Sequence, residues 1–398
     1  MAGPEAHEYA WVTLKWSQKC LATRESRSMP KIKIRYVGLD VHKDSIAIAV
    51  AETGRGEVRS LGNFPSDWPT LQKHLQKMAT GYLLKICYEA GPTGYNLYRR
   101  LVEAGYDCVV IAPSKVPHKP GDRVKTDRRD AMKLARCLRA DDLTPVYVPE
   151  PEVEALRDLE RTRENAKKAE IAAKNQLSKF LLRYGIIWNE GSTWTRKHFE
   201  WLRKLEFKLA AQQIAYKDCL LAVEIAMERV ERLNEEIEKI VPMCTQSPLI
   251  KALQALRGVQ TLTAVILAAE IGDPRRFRTA GQFMAYVGLC PSENSSGNRH
   301  QKGPITKAGN RRVRRILIES AWHYRTPRTI SAELRKRQEQ VSPEVREIAK
   351  TAIKRLQKKF RHLLEEKCKN AKLAVVAIAR ELAGFIWAIG QEEKLLAT

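Results

Sequence analysis

Two apolar runs that each end on an acid limit what the N-terminal part of this chain can become. Ile34, Tyr36, Val37 and Leu39 lead to Asp40 within YVGLDVHKD, and Leu83, Leu84, Ile86 and Cys87 lead to Glu89 within KICYEAGPTG. Short apolar runs bounded by turn residues predict buried strands, so a sheet would present both carboxylates at strand ends. Asp127 and Asp130 of KTDRRDA stand three apart at the head of a helical pattern through Met132, Leu134, Ala135 and Leu138. Residues three apart project from one face of a first helical turn. Hard oxygen ligands gathered this way suit Mg²⁺, with Mn²⁺ as an alternative. A pair of such ions activates a nucleophile and stabilises a leaving oxygen at phosphorus. Each acid alone also fits a structural role, since an Asp at a strand end caps a turn and acids in a first turn complement the helix dipole.

The surrounding pattern predicts an α/β domain over residues 31–148. Strands are expected at Tyr36–Asp40, Ile46–Ala51, Val58–Asn63, Leu84–Tyr88 and Asp107–Ile111, with helices from Asp67 through Leu71, Leu75 and Met78 and from Thr93 to Ala104. That series implies a mixed sheet covered by helices. Strand, strand and helix also follow, in order, the carriers of the acids in an RNase H-like nuclease core. Pro113 to Thr126, rich in proline, glycine and basic residues, is expected to be a mobile loop beside the acids. Residues 1–30 show no period despite Trp11, Leu14 and Trp16, and are expected to be a flexible extension without assigned function.

Beyond Pro149 and Pro151 the composition shifts to helix formers. Glu154–Tyr184 and Thr195–Val241 read as long helices, and Val223, Ala226, Val230, Leu233, Ile237 and Ile240 follow three-four spacing. Joined near Gly185 to Ser192, they predict an antiparallel coiled-coil hairpin over 149–248, serving either as a spacer or for dimerisation. Residues 249–398 read as mostly helical. They open with LRGVQTLTAVILAAEIGD, whose turn at Gly258 suggests a helix-hairpin-helix that grips phosphate through backbone amides, or an ordinary helical hairpin.

Charge points to a polyanionic partner, because Lys and Arg number 70 against 46 Asp and Glu, a formal charge of +24. The densest run contains Arg299, Lys302, Lys307, Arg311, Arg312, Arg314 and Arg315 with no acid between Arg299 and Arg315, which places it on nucleic-acid phosphates. Arg311 to Arg315 enter a helix at the end where its dipole disfavours cations, a conflict that bound phosphate would relieve. The same run begins CPSENSSG, offering Ser292, Ser295 and Ser296 as candidate hydroxyls. The apolar run Ala374 to Ile389 is interrupted by Arg380 and Glu381 and is expected in the core. Without a signal peptide or a membrane span, and with cysteines that show no CxxC clustering, the reading is a reduced, cytoplasmic protein with no membrane partner.

GLDVHKD, YEAGPTGY, KTDRRDA, GVQTLTAVILAAEIGD, FMAYVGLCPSENSSG and ITKAGNRRVRRILIESA, in this order, resemble the IS110-type transposases, specifically the IS1111-like subgroup. The resemblance runs from about Tyr36 to Trp387. It implies a DEDD transposase with a RuvC-like N-terminal domain, a coiled-coil middle and a C-terminal transposase domain. It places the metal ligands at Asp40, Glu89, Asp127 and Asp130 and the nucleophile at Ser296. It further implies recombination of donor and target DNA under guidance from a structured RNA, by a homo-oligomer, dimer or tetramer, acting at the prokaryotic nucleoid. Two alternatives remain at this point. One is a RuvC-like junction resolvase or nuclease that attacks with water. The other is a non-catalytic nucleic-acid-binding protein, such as an RNase H-like ATPase with GLDVHKD as its phosphate loop.

Overall fold

Strand β2 (Ser45–Glu52) shows how composition sets the architecture, because its sequence SIAIAVAE alternates large and small apolar residues. Successive strand residues face opposite sides. Ile46, Ile48 and Val50 therefore join one core while Ala47, Ala49 and Ala51 join another. β1 (Ile34–Val41) pairs antiparallel with β2, and β2 with β3 (Arg59–Pro65). Helix α1 (Trp68–Ala79), capped by Asp67, packs Leu71, Leu75 and Met78 onto the side with the bulky residues. β4 (Leu83–Glu89) then pairs parallel with β1, helix α2 (Asn96–Glu103) follows, and β5 (Asp107–Ile111) pairs parallel with β4. The resulting sheet has the order β3-β2-β1-β4-β5 and is mixed, as the strand series predicts. Helix α3 (Asp127–Arg139) lies across the opposite side, where the alanines leave room for it.

The computed structural model describes residues 33–117, 126–297, 299–326 and 329–392. The N-terminal extension and most of the basic loop expected before Thr126 lie outside the described residues. The chain divides into two units, Met1–Val148 and Pro149–Thr398.

The second unit is mostly helical. It begins with α4 (Pro151–Arg183), α5 (Arg196–Lys204) and α6 (Ala210–Ile240). At one end Leu156 of α4 clusters with Ile237 of α6, and at the other Leu177, Phe180 and Leu181 cluster with Tyr216, Leu220 and Val223, so α4 and α6 run antiparallel. Tyr216, Val223, Val230 and Ile237, at heptad intervals, are buried in α6, whereas Ile240 is exposed. The expected continuous helix from Thr195 to Val241 is broken at 205–209. There Phe207 turns inward against Phe180, Tyr184 and Tyr216, and its N–H donates to Gln213 Oε1 at 2.7 Å. Aromatic packing thus overrides local helix propensity.

The remaining core is built from α7 (Ser247–Leu253), α8 (Thr261–Ile271), α9 (Ala280–Tyr286), α10 (Arg311–Ala321), α11 (Ala332–Glu339), α12 (Pro343–Arg361) and α13 (Ala371–Gly390). Between α9 and α10 a two-stranded hairpin forms from β6 (Pro291–Glu293) and β7 (Lys302–Ile305). By length and apolarity α13 could cross a membrane, but it buries Ala374, Val375, Ile378, Leu382 and Ile386 in this core. Its Glu381 pairs with Arg355 and Lys359 of α12.

Candidate metal centre and nucleophile

Alternation along the strands brings the acids of the first unit to one side of the sheet. On β1, Tyr36 and Gly38 face α3, and so does Asp40 two residues on; on β4, Cys87 faces α3, its Sγ donating to the Leu134 carbonyl at 3.7 Å, which sends Glu89 to the same side. β1 and β4 run parallel with Leu39 opposite Tyr88, so Asp40 and Glu89 leave the carboxyl ends of neighbouring strands at the same level. In open α/β sheets such ends are where ligands bind.

Gly38 fixes how near α3 lies. A Cβ there would fall 2.3 Å from the Ala131 carbonyl oxygen and 2.5 Å from the Ala135 nitrogen, so only glycine lets this helix rest directly on the strand. Thr126 caps α3 by accepting the Arg129 N–H at 3.3 Å, and the first turn then delivers Asp127 and Asp130.

His42, in the turn after β1, joins the acids. Its Nε2 lies 3.3 Å from Asp40 Oδ2 and 3.5 Å from Asp127 Oδ1, and one ligand atom from each of the three falls within 4.8 Å of the others. Burial raises the Asp40 pKa above its usual value; His42 opposes this, and the charges of Asp127 and Asp130 add to it. The carboxylate oxygens of Asp40 and Asp127 with the His42 imidazole form a donor set that fits a divalent cation. The structure thus brings Asp40 and Asp127 together with Asp130 close enough to act on Asp40, and sets Glu89 on the adjoining strand end. His42 falls outside the four acids expected as ligands. Its signal was the D-V-H spacing, since residues two apart along an extended segment share a side. On the outer side of α3, Arg128, Arg129, Lys133 and Arg136 line an open cleft of about 950 Å³.

The serines lie on the β6–β7 hairpin of the second unit. Asn294 N–H donates to the Gln301 carbonyl at 2.9 Å, and Ser296 and Arg299 exchange backbone bonds at 3.1 Å in each direction, extending the pairing to the tip. Gly297, at φ +56°, makes the turn. Ser292 Oγ donates to the Pro304 carbonyl at 3.0 Å and Ser295 Oγ to Glu293 Oε1 at 2.9 Å. The Ser296 hydroxyl is exposed and has no partner among the described residues. Directly paired residues share a side of a hairpin, so Arg299 stands beside Ser296. The base of the hairpin is rigid. A Cβ on Gly309 (φ +71°) would meet the Tyr286 carbonyl oxygen at 1.8 Å, and Arg314 Nη1 donates to the Val287 and Ala308 carbonyls at 2.9 and 3.0 Å.

The cations of the run separate into two groups. Arg299, Lys302, Lys307 and Arg311, like Arg315, are exposed. Arg312 instead pairs with Glu164, with Glu160 at 3.6 Å and with Glu270 at 3.8 Å, and Arg315 pairs with Glu164 at 3.2 Å and Glu319 at 3.0 Å. Asn310 caps α10, accepting the Arg312 and Val313 N–H groups, and donates to Glu270 Oε2 at 2.8 Å. For Arg312, the conflict with the α10 dipole is therefore relieved by the protein's own buried acids Glu160 and Glu270. At the expected hairpin between α7 and α8, Gly258 takes φ +78°, and a Cβ there would meet the Ser320 carbonyl oxygen at 2.7 Å.

Comparison with known proteins matches these two regions separately. Residues 37–186 match the DEDD transposase family of IS110, and residues 250–336 match the Transposase IS116/IS110/IS902 family. A protein described as a transposase, y4qE of Sinorhizobium fredii, is 42% identical over 370 residues, covering 92% of this chain and 91% of its own. The transposase for insertion sequence element IS1533 of Leptospira borgpetersenii is 33% identical over 347 residues, covering 85% and 99%. The transposase for insertion sequence element IS1111A of Coxiella burnetii is 26% identical over 310 residues, covering 75% and 79%.

Proposed function

The chain belongs to the IS110 family of DEDD transposases, enzymes of insertion sequences that act on DNA, and from that premise we propose that its Ser296 hydroxyl cuts the DNA strand. Asp40, Glu89, Asp127 and Asp130 would hold Mg²⁺, or Mn²⁺ in its place. Bound there, the cation supplies Lewis-acid polarisation of the scissile phosphate. Ser296 Oγ attacks phosphorus and gives up its proton, while the deoxyribose oxygen leaves and takes one up. The phosphoserine ester conserves the bond energy, and a second strand's hydroxyl reverses the step. Arg299, beside Ser296, meets the phosphate charge, while Lys302, Lys307 and Arg311 hold the flanking backbone.

The observation that carries this reading is the choice among three serines: among the described residues, Ser292 and Ser295 spend their hydroxyls on hairpin acceptors, whereas Ser296 has no hydroxyl partner and a cation paired across from it. We further propose that a structured guide RNA binds the cationic helices of the second unit, among them Lys354, Arg355, Lys358 and Arg361 of α12, and that the protein works as a homo-oligomer on nucleoid DNA in the cytoplasm. The test is a cleavage substrate whose cut strand cannot rejoin. A covalent protein–DNA adduct is expected, mapping to Ser296 by mass spectrometry and lost in Ser296→Ala and in Asp40→Asn. Cut DNA with free ends and no adduct would instead establish hydrolysis by water.

A further inference from the structure

We propose that His42 is a ligand of this metal centre, making it a mixed nitrogen and oxygen site that prefers Mn²⁺ and Co²⁺ to Mg²⁺. The inference rests on the reading of the four acids as cation ligands and concerns which cation they take.

Three observations carry it. The His42 ring nitrogen lies within reach of Asp40 and Asp127 together, at 3.3 and 3.5 Å, so a cation between the carboxylates also meets the imidazole. The turn that bears it is tied down: the His42 N–H donates to the Ser45 carbonyl at 2.9 Å, Ser66 Oγ to the Lys43 carbonyl at 2.9 Å, and the Ser66 N–H to the Asp44 carbonyl at 3.2 Å. Position 42 is thereby held at the end of β1 when the side chain rotates. Finally, the ring is 53% exposed, so no core packing prevents its nitrogen from swinging onto a cation.

The chemistry follows from the donor set. Mg²⁺ demands a near-octahedral oxygen shell and dehydrates reluctantly, so an imidazole adds little to its binding. Divalent transition ions accept nitrogen alongside carboxylate, with Co²⁺ above Mn²⁺ in the general order of affinity. The competing account gives His42 only the task of offsetting carboxylate charge until a cation displaces it. In that account the ring contributes nothing to the loaded site, and its removal affects all three ions alike.

Isothermal titration of the full chain with MnCl₂, CoCl₂ and MgCl₂ separates these accounts, using wild type, His42→Ala and Asp40→Asn, with far-UV circular dichroism to confirm folding. In His42→Ala the affinity for Mn²⁺ and Co²⁺ should fall about tenfold or more while that for Mg²⁺ changes less than about threefold. Pulsed electron paramagnetic resonance on the Mn²⁺-loaded protein should show ¹⁴N modulation that disappears in His42→Ala. Binding of all three ions should be lost in Asp40→Asn. An equal change for all three ions in His42→Ala, or no ¹⁴N modulation in wild type, overturns the proposal while leaving the carboxylate site standing. Absence of binding in wild type, or full binding in Asp40→Asn, removes the carboxylate reading and this proposal with it.

Discussion

The acids of the first unit and the serine of the second are held in opposite ways. Asp40 leaves a strand whose Val37 and Leu39 are fully buried, and the helix bearing Asp127 and Asp130 rests on that strand through Gly38 with backbone against backbone. Ser296 stands near the tip of a hairpin whose residues 293–297 are all exposed, and Arg314 ties the base of that hairpin to the Val287 and Ala308 carbonyls. The difference suits the two tasks proposed for them. Carboxylates from separate segments must converge to within a few ångströms, which takes close-packed elements. A nucleophile for a phosphodiester must reach a long substrate, which takes exposure on a short, anchored arm.

The sharpest way to break this contrast is Gly38→Val. The added side chain has no space against Ala131 and Ala135, so α3 must lift. A destabilisation of about 4 kcal/mol or more is expected in the first unit, with cleavage lost. Denaturant unfolding checks it, and near-wild-type stability would show that the helix is not seated by that glycine.

Arg312→Ala tests the second unit at the root of the serine hairpin. Glu160 and Glu270 are buried, and burial already raises the Glu160 pKa against the opposing charge of Arg312. Removing the guanidinium leaves buried acids uncompensated, at a cost of about 3 kcal/mol, with little change in the salt dependence of DNA binding. A reduced salt slope without loss of stability would place Arg312 on phosphate instead.

Acid should act on the two units with opposite sign. His198 of α5, packed among Trp188, Trp194 and Trp201, has its pKa lowered from 6.5 by burial. The unfolded chain therefore binds the proton more readily, and the His198 contribution, present above pH 6.5, is lost as pH falls from there through the depressed folded value. Asp40, raised from 3.8, behaves in reverse: its contribution is full below 3.8 and is lost as pH rises through the elevated folded value. On acidification, hydrogen exchange of metal-free protein should accelerate around His198 first. Protection around Asp40 should rise at lower pH. Changes of the same sign in both places would contradict these environments.

The smallest effect belongs to Arg299→Ala. An exposed side chain at a hairpin tip contributes little to stability, so the melting temperature should hold while the salt slope of DNA binding falls by about 1. An unchanged slope would take Arg299 off the DNA.

Much of the first unit was legible because its signals are local. Apolar runs closed by Asp40 and Glu89, and the helical pattern behind Asp127 and Asp130, each specify an element from a few neighbouring residues. The same locality explains what was not legible. The D-V-H spacing is visible in sequence, but that His42 points at Asp127 as well as Asp40 depends on α3, eighty-odd residues away, lying against Gly38. A run of cations gives the sign of a surface, whereas the pairing of Arg312 and Arg315 with Glu164 depends on where α4 passes. The aromatic cluster around Phe207 broke the helix expected to run from Thr195 to Val241. Sequence by itself determined the strand and helix carriers of the acids and the family to which the chain belongs, because both are written in contiguous motifs. Tertiary structure decided which charges meet and how closely helix and strand approach, because those depend on contacts between segments far apart in the chain.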